Sequence, residues 1–145
     1  CMSCDLIVAA RDARFGLPEV KRNLVATGGG LFRLPKRIPY GLAMEFALLG
    51  EPQTTDFFAP YGIINRVTEP GQAVDGALKL ATHMLANGPT ALAATVQIMR
   101  NAHNWTEAEA WAAQEPIAAV ARNSQDCAEG LRAFAEKRAP VWQGR

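Results

Sequence analysis

Glu19 is the only acid in the stretch "FGLPEVKRNLVATGGGLFRLPKR", Phe15 to Arg37. Pro18 fixes its own φ and biases Leu17 towards an extended conformation, so the carboxylate is expected on a stiff turn. A stiff placement suits a proton donor or acceptor. Phe15, Leu17, Val20 and Leu24 lie close in sequence, and partial desolvation favours the neutral carboxyl that general acid work requires. The same residue could instead be a surface acid paired with Lys21, Arg22 or Arg14; spacing alone admits both. Downstream, "TGGGLFRL" places Gly28, Gly29 and Gly30 at an expected helix start, where unpaired N–H groups gather. It lacks the lysine and hydroxyl of a P-loop and the spacing of a dinucleotide fingerprint. That leaves a tight turn using glycine's φ, or the close approach of a ligand.

Other reactive residues are sparse. "CMSC", Cys1 to Cys4, is half a metal knuckle or a redox pair, with no second pair and no nearby histidine to complete a tetrahedral site. Together with Cys127 these make an odd count without disulfide spacing, expected as buried thiols in a reducing compartment. His83 and His103 lack nucleophile or metal-ligand partners, so no metal is expected. Arg33, Lys36 and Arg37 form a local basic cluster that could meet an anion. With 15 basic and 14 acidic residues and a net charge of +1, nothing suggests a nucleic-acid surface or a polybasic membrane run. No apolar run reaches the roughly 20 residues of a membrane helix and no leader opens the chain, so the location is expected to be cytoplasmic.

Elements to position these residues follow from periodicity. Asp5 to Ala10 reads as a buried strand and Ile63 to Val67 as a second. Pro39 to Leu49 reads as a helix with Leu42, Phe46 and Leu49 on one face, stopped by Gly50. Thr54 or Thr55 can cap a short helix to Tyr61. Val74, Leu78, Ala81 and Leu85 recur at helical spacing, and Leu92, Val96 and Met99 mark the next helix. Thr106 with Glu109 has capping-box spacing, opening a helix interrupted at Pro116. Ser124 can cap a last helix carrying Cys127, Leu131 and Phe134. Two strands make at best a marginal sheet, and the chain runs into its first strand without a preceding turn, so its start is expected inside a fold.

The run from "CDLIVAARDARFGLPEV" through "FRLPKR" to "IINRVTEP", and the tail "DCAEGLRAFAEKRAPVWQGR", resemble the enoyl-CoA hydratase/isomerase, or crotonase, superfamily. That family's pattern has a CD strand, an ARFGxPE-like segment, a glycine-rich turn, RLPR, LVNRVV and a closing EGxxAFxEKRxPxFxGR. The resemblance implies an α/β crotonase-like fold. Residues 1–70 would be the C-terminal part of its core, and 71–145 a helical region that builds a homotrimer or hexamer. It implies an acyl-CoA thioester substrate and no cofactor beyond that substrate's coenzyme A. Glu19 matches a catalytic glutamate that exchanges a proton with the α-carbon. Pro18, Gly29 and Gly30 are expected at the acyl pocket, and Phe134 and Lys137 at the CoA nucleotide. Hydration of a 2-enoyl-CoA is the favoured activity; isomerisation, thioester hydrolysis or a non-catalytic oligomerisation module are the alternatives. The family's usual GxxPGxGG reads here as "NLVATGGG", with Asn23, Ala26 and Thr27 replacing its first Gly, Pro and second Gly, which leaves chain-length preference undetermined. The family's oxyanion-hole donors and first catalytic Glu would fall before Cys1, so the 145 residues are expected to be inactive by themselves.

Overall fold

The apolar run after Asp5 becomes a strand only at its end. In a computed structural model that describes all residues from Cys1 to Arg145, β1 is Val8–Ala10 and lies parallel to β4, Arg66–Thr68, with Val8 opposite Arg66 and Ala10 opposite Thr68. Asn65 explains both late starts. Its side-chain oxygen accepts the Ile7 N–H at 2.8 Å and its own N–H donates to the Ile7 carbonyl at 2.8 Å, so the regular ladder begins one residue on. Ile63 and Ile64, expected in the strand, are buried core residues ahead of it. A second ladder, β2 (Arg14–Phe15) against antiparallel β3 (Gln53–Thr54), is too short for periodicity to signal.

Between the ladders run α1 (Gly30–Arg33) and α2 (Tyr40–Leu49), followed by α3 (Thr55–Phe58). α2 ends as expected at Gly50, whose left-handed φ of 63° lets its N–H return to Phe46. Its buried face holds Phe46 and brings Leu42 against the core as expected, with Ala43 added, whereas Leu49 is exposed. Thr54 caps α3 by accepting the Phe57 N–H.

The units are Cys1–Leu80 and Ala81–Arg145. The first has a core that includes Ile7, Leu34, Ile38, Phe46, Phe58 and Ile63. Phe58 meets Phe15, Phe46 and Phe57 edge-on at centroid distances of 5.7, 5.1 and 4.9 Å, the geometry aromatic quadrupoles favour. Thr55 is fully buried, its hydroxyl donating to the Ala10 carbonyl at 2.6 Å and its N–H to Ala13 at 3.1 Å. Thr55→Val keeps the shape and removes the donor, so it is expected to destabilise by about 1–2 kcal/mol with an unchanged denaturant slope, while Thr55→Ser recovers most of the loss. A valine variant as stable as the wild type in urea titration would contradict this.

α4 (Ala73–Leu85) crosses the division between the units, and α5 (Pro89–Asn101), α6 (Glu107–Arg122) and α7 (Gln125–Glu136) complete the chain. The capping box forms as read. Thr106 accepts the Glu109 N–H, and the Glu109 carboxylate accepts the Thr106 N–H at 2.8 Å, holding that carboxyl below its ordinary range. Ser124 likewise caps α7, accepting the Cys127 N–H at 3.0 Å. α6 runs unbroken through Pro116. Pro116 and Ala112, whose carbonyl loses its partner, are both exposed, so water can replace the missing bond. The thiols also depart from expectation: Cys1 and Cys4 are exposed in a turn closed by the Cys4 N–H on the Cys1 carbonyl, and Cys127 is half-buried. The apolar residues at helical spacing are exposed at Val74, Leu78, Leu85, Met99 and Leu131, and Ala133 is the buried apolar residue of the second unit. No helix is long and apolar enough to cross a membrane.

Candidate acyl-thioester site

Pro18 opens a single 3-10 turn, Pro18–Arg22, closed by Asn23 in the left-handed region at φ 56°. The Leu24 N–H bonds the Glu19 carbonyl at 3.1 Å. Glu19 is thereby held at its carbonyl and faces a cavity of about 410 Å³ whose walls include Leu17, Gly28, Gly30, Phe46 and Phe58. Its Oε2 is buried and has no hydrogen-bond partner. Such an oxygen is costly to leave alone. Glu19 makes no surface ion pair of the kind its spacing allowed: Lys21 is bonded to Glu51, beyond α2. Arg14 lines the same cavity without bonding Glu19.

The glycine run forms a tight turn of the kind that needs glycine's φ, leading into α1, a single helical turn. Gly29 caps it at φ 93°, and a Cβ there would lie 1.7 Å from Arg33 Nη1. A Cβ on Gly30 would meet Leu17 at 3.0 Å. Gly28 and Gly30 line the cavity, whereas Pro18 and Gly29, expected at the acyl pocket, do not: Pro18 starts the 3-10 turn and Gly29 caps α1. Arg33 folds back over Phe32 at 4.6 Å and reaches the cavity, while Arg37 donates to the Cys4 carbonyl at 2.5 Å. The expected basic cluster is therefore dispersed. Arg14 and Arg33 as cavity residues escaped the sequence reading, because only the folding back of Arg33 one turn past Gly29 brings it there.

Phe134 and Lys137 belong to the second unit. Phe134 is 87% exposed, and Lys137 ends α7 in the left-handed region at φ 55°. The same helix carries two buried carboxylates that the sequence reading missed, Asp126 and Glu129. The Arg138 guanidinium, then Arg132 and the Val141 N–H, hold the Glu129 carboxyl far below the usual carboxylate range, and Glu129 with Glu136 pushes Arg138 up. Their i, i+3 spacing on α7 was the available signal.

Two short ladders, a glycine-walled cavity with one unpartnered carboxylate and a set of C-terminal helices make up a crotonase-type fold, shared with solved structures. One is a probable enoyl-CoA hydratase/isomerase from Mycobacterium abscessus, 56% identical with a TM-score of 0.95 over 99% of this chain and 57% of that one. An enoyl-CoA hydratase from Mycobacterium tuberculosis H37Rv is 48% identical, with a TM-score of 0.96 over the same shares. The chain belongs to the enoyl-CoA hydratase/isomerase family, whose model matches residues 1–145. Among curated relatives, the enoyl-CoA hydratase EchA19 of M. tuberculosis is 40% identical over 97% of this chain and 53% of its own length. The carnitinyl-CoA dehydratase of Salmonella typhi is 35% identical over 99% and 57%. The chain thus spans about half the length of the curated relatives it matches.

Proposed function

We propose that this chain supplies the Glu19 side of an acyl-CoA site that hydrates 2-enoyl-CoA to 3-hydroxyacyl-CoA, with no resident metal or redox cofactor. The observation carrying the reading is the buried, unpartnered Oε2 of Glu19 facing a cavity walled by glycine backbone. In this reaction the water oxygen bonds C3 while one of its protons passes to a second, water-activating carboxylate, and the C2–C3 π pair moves to the thioester as an enolate. Glu19 then delivers a proton to C2 as general acid. Following the family resemblance, the water-activating carboxylate and the oxyanion donors come from the part of the relatives that this chain does not span. Those donors are worth on the order of 100-fold or more each, so the 145 residues alone are expected to turn over crotonyl-CoA at near-background rates. Substantial hydration by this chain, followed by loss of the enoyl absorbance, would sink the half-site reading.

Isomerisation of a 3-enoyl-CoA is the second reading, favoured by one observation: Glu19 is the sole acid lining the cavity, and a double-bond shift can run on one carboxylate that removes and returns a proton. We further propose that residues 71–145 assemble a homotrimer or hexamer, supported by the exposed apolar residues Met99, Trp111, Val120 and Leu131. Light scattering coupled to size exclusion should give three or six chain masses; a monomer at micromolar concentration would refute it.

A further inference from the structure

We infer that Glu129 is a positioning residue for Lys137: its buried carboxylate grips the chain on the far side of that lysine and so holds the ammonium ready for the phosphates of a CoA nucleotide. The inference rests on the acyl-CoA reading above. Lys137 occupies a position that glycine usually fills, in a conformation side chains rarely adopt. A lysine there needs a cause and a restraint. The restraint is visible on both flanks. The Lys137 N–H bonds the Phe134 carbonyl at 3.3 Å and the Arg138 N–H bonds Ala133 at 3.0 Å. The Arg138 side chain then forks onto Glu129, Nη1 to Oε1 at 2.6 Å and Nη2 to Oε2 at 3.0 Å, with Nε on Glu136 at 2.6 Å and Nη1 also on the Ala139 carbonyl at 3.1 Å. Glu129 also accepts the Val141 N–H at 3.0 Å and an Arg132 nitrogen at 2.5 Å. A bidentate guanidinium–carboxylate pair is directional, so residue 138 cannot rotate without breaking it.

The cause is the side chain left over. Every charged neighbour in this corner is engaged with another, yet Lys137 makes no ion pair, and Phe134, three residues before it, is exposed. The family resemblance puts this exposed ring and this lysine at the CoA nucleotide, the ring taking the base and the ammonium a phosphate; what holds the lysine there is the question Glu129 answers. Asp126 provides the internal contrast. It is buried too, accepting the Gln143 and Gly144 N–H groups at 2.7 and 2.8 Å, but it holds the chain end and does not touch Arg138.

The test is calorimetric titration of this chain with CoA and with pantetheine, which lacks the nucleotide, alongside Lys137 ¹³Cα and ¹³Cβ shifts as a reporter of the left-handed conformation. Lys137→Gln should weaken CoA about 5- to 10-fold, and Glu129→Gln should do nearly the same, with pantetheine unchanged. The double variant should be no weaker than either single one, because both remove one interaction. Asp126→Asn should stay within about twofold, since its bonds hold only the tail. Arg138→Gln removes the other half of the fork and repeats the test if Glu129→Gln folds poorly. Losses that add in the double variant, or CoA affinity and Lys137 shifts untouched in Glu129→Gln, overturn the inference while leaving the acyl-CoA reading intact. CoA binding no tighter than pantetheine, or unaffected by Lys137→Gln, overturns the nucleotide assignment and this inference with it.

Discussion

Glu19→Gln is expected to lower turnover by about 10²- to 10⁴-fold while leaving thioester affinity within a few fold, the range that loss of a positioned general acid produces. The amide fills the same space and still accepts hydrogen bonds, but it cannot release a proton to carbon. Binding of the ground state, which depends on the glycine wall and the apolar lining, should therefore survive. The assay needs an active protein; joining this chain to the part of its M. abscessus relative left uncovered by the match provides one. A second readout needs only the 145 residues. Because the Glu19 Oε2 is buried without a partner, removing the carboxylate should leave stability unchanged or raise it by up to about 1 kcal/mol, the usual sign where function and stability conflict. A variant that loses stability and keeps full turnover would show that Glu19 is a structural acid.

The largest expected loss of stability belongs to Phe58→Ala, about 3–5 kcal/mol. Phe58 is 2% exposed and is the common member of three edge-on ring pairs, so truncation removes apolar burial and leaves a void that three other rings border. Typical domains are stable by only about 5–15 kcal/mol, so the variant should unfold at markedly lower denaturant by circular dichroism. Phe57→Ala, at a half-buried position on the same turn, should cost less. Phe58 also lines the Glu19 cavity, and the void would open into the site. If Phe58→Ala costs no more than Phe57→Ala, the cluster is not the centre of the core.

What could be read before folding was what depends on neighbours in sequence. The Thr106–Glu109 box, the Ser124 cap and the Gly50 stop all close within three or four residues, so their geometry is contained in their spacing. The stiffness of the Glu19 turn was readable for the same reason, since Pro18 acts on its own φ and on its neighbour. Family membership was readable too, because ordered motifs run the length of the chain.

Distance in sequence hid the rest. Arg14 pairs with Thr54 forty residues on, and Asp126 meets the N–H groups of Gln143 and Gly144; no local pattern announces such partners. Periodicity identified the stripes through Val74, Leu78 and Leu85 as one face of a helix, yet a stripe states only that a face is apolar and not what covers it. For Glu19, spacing admitted both a surface ion pair and a proton donor. The tertiary structure draws Lys21 to Glu51 and turns the carboxylate towards the cavity. Which of several possible partners a charge finally meets depends on the packing of the whole unit, and that is settled by contacts no short segment contains.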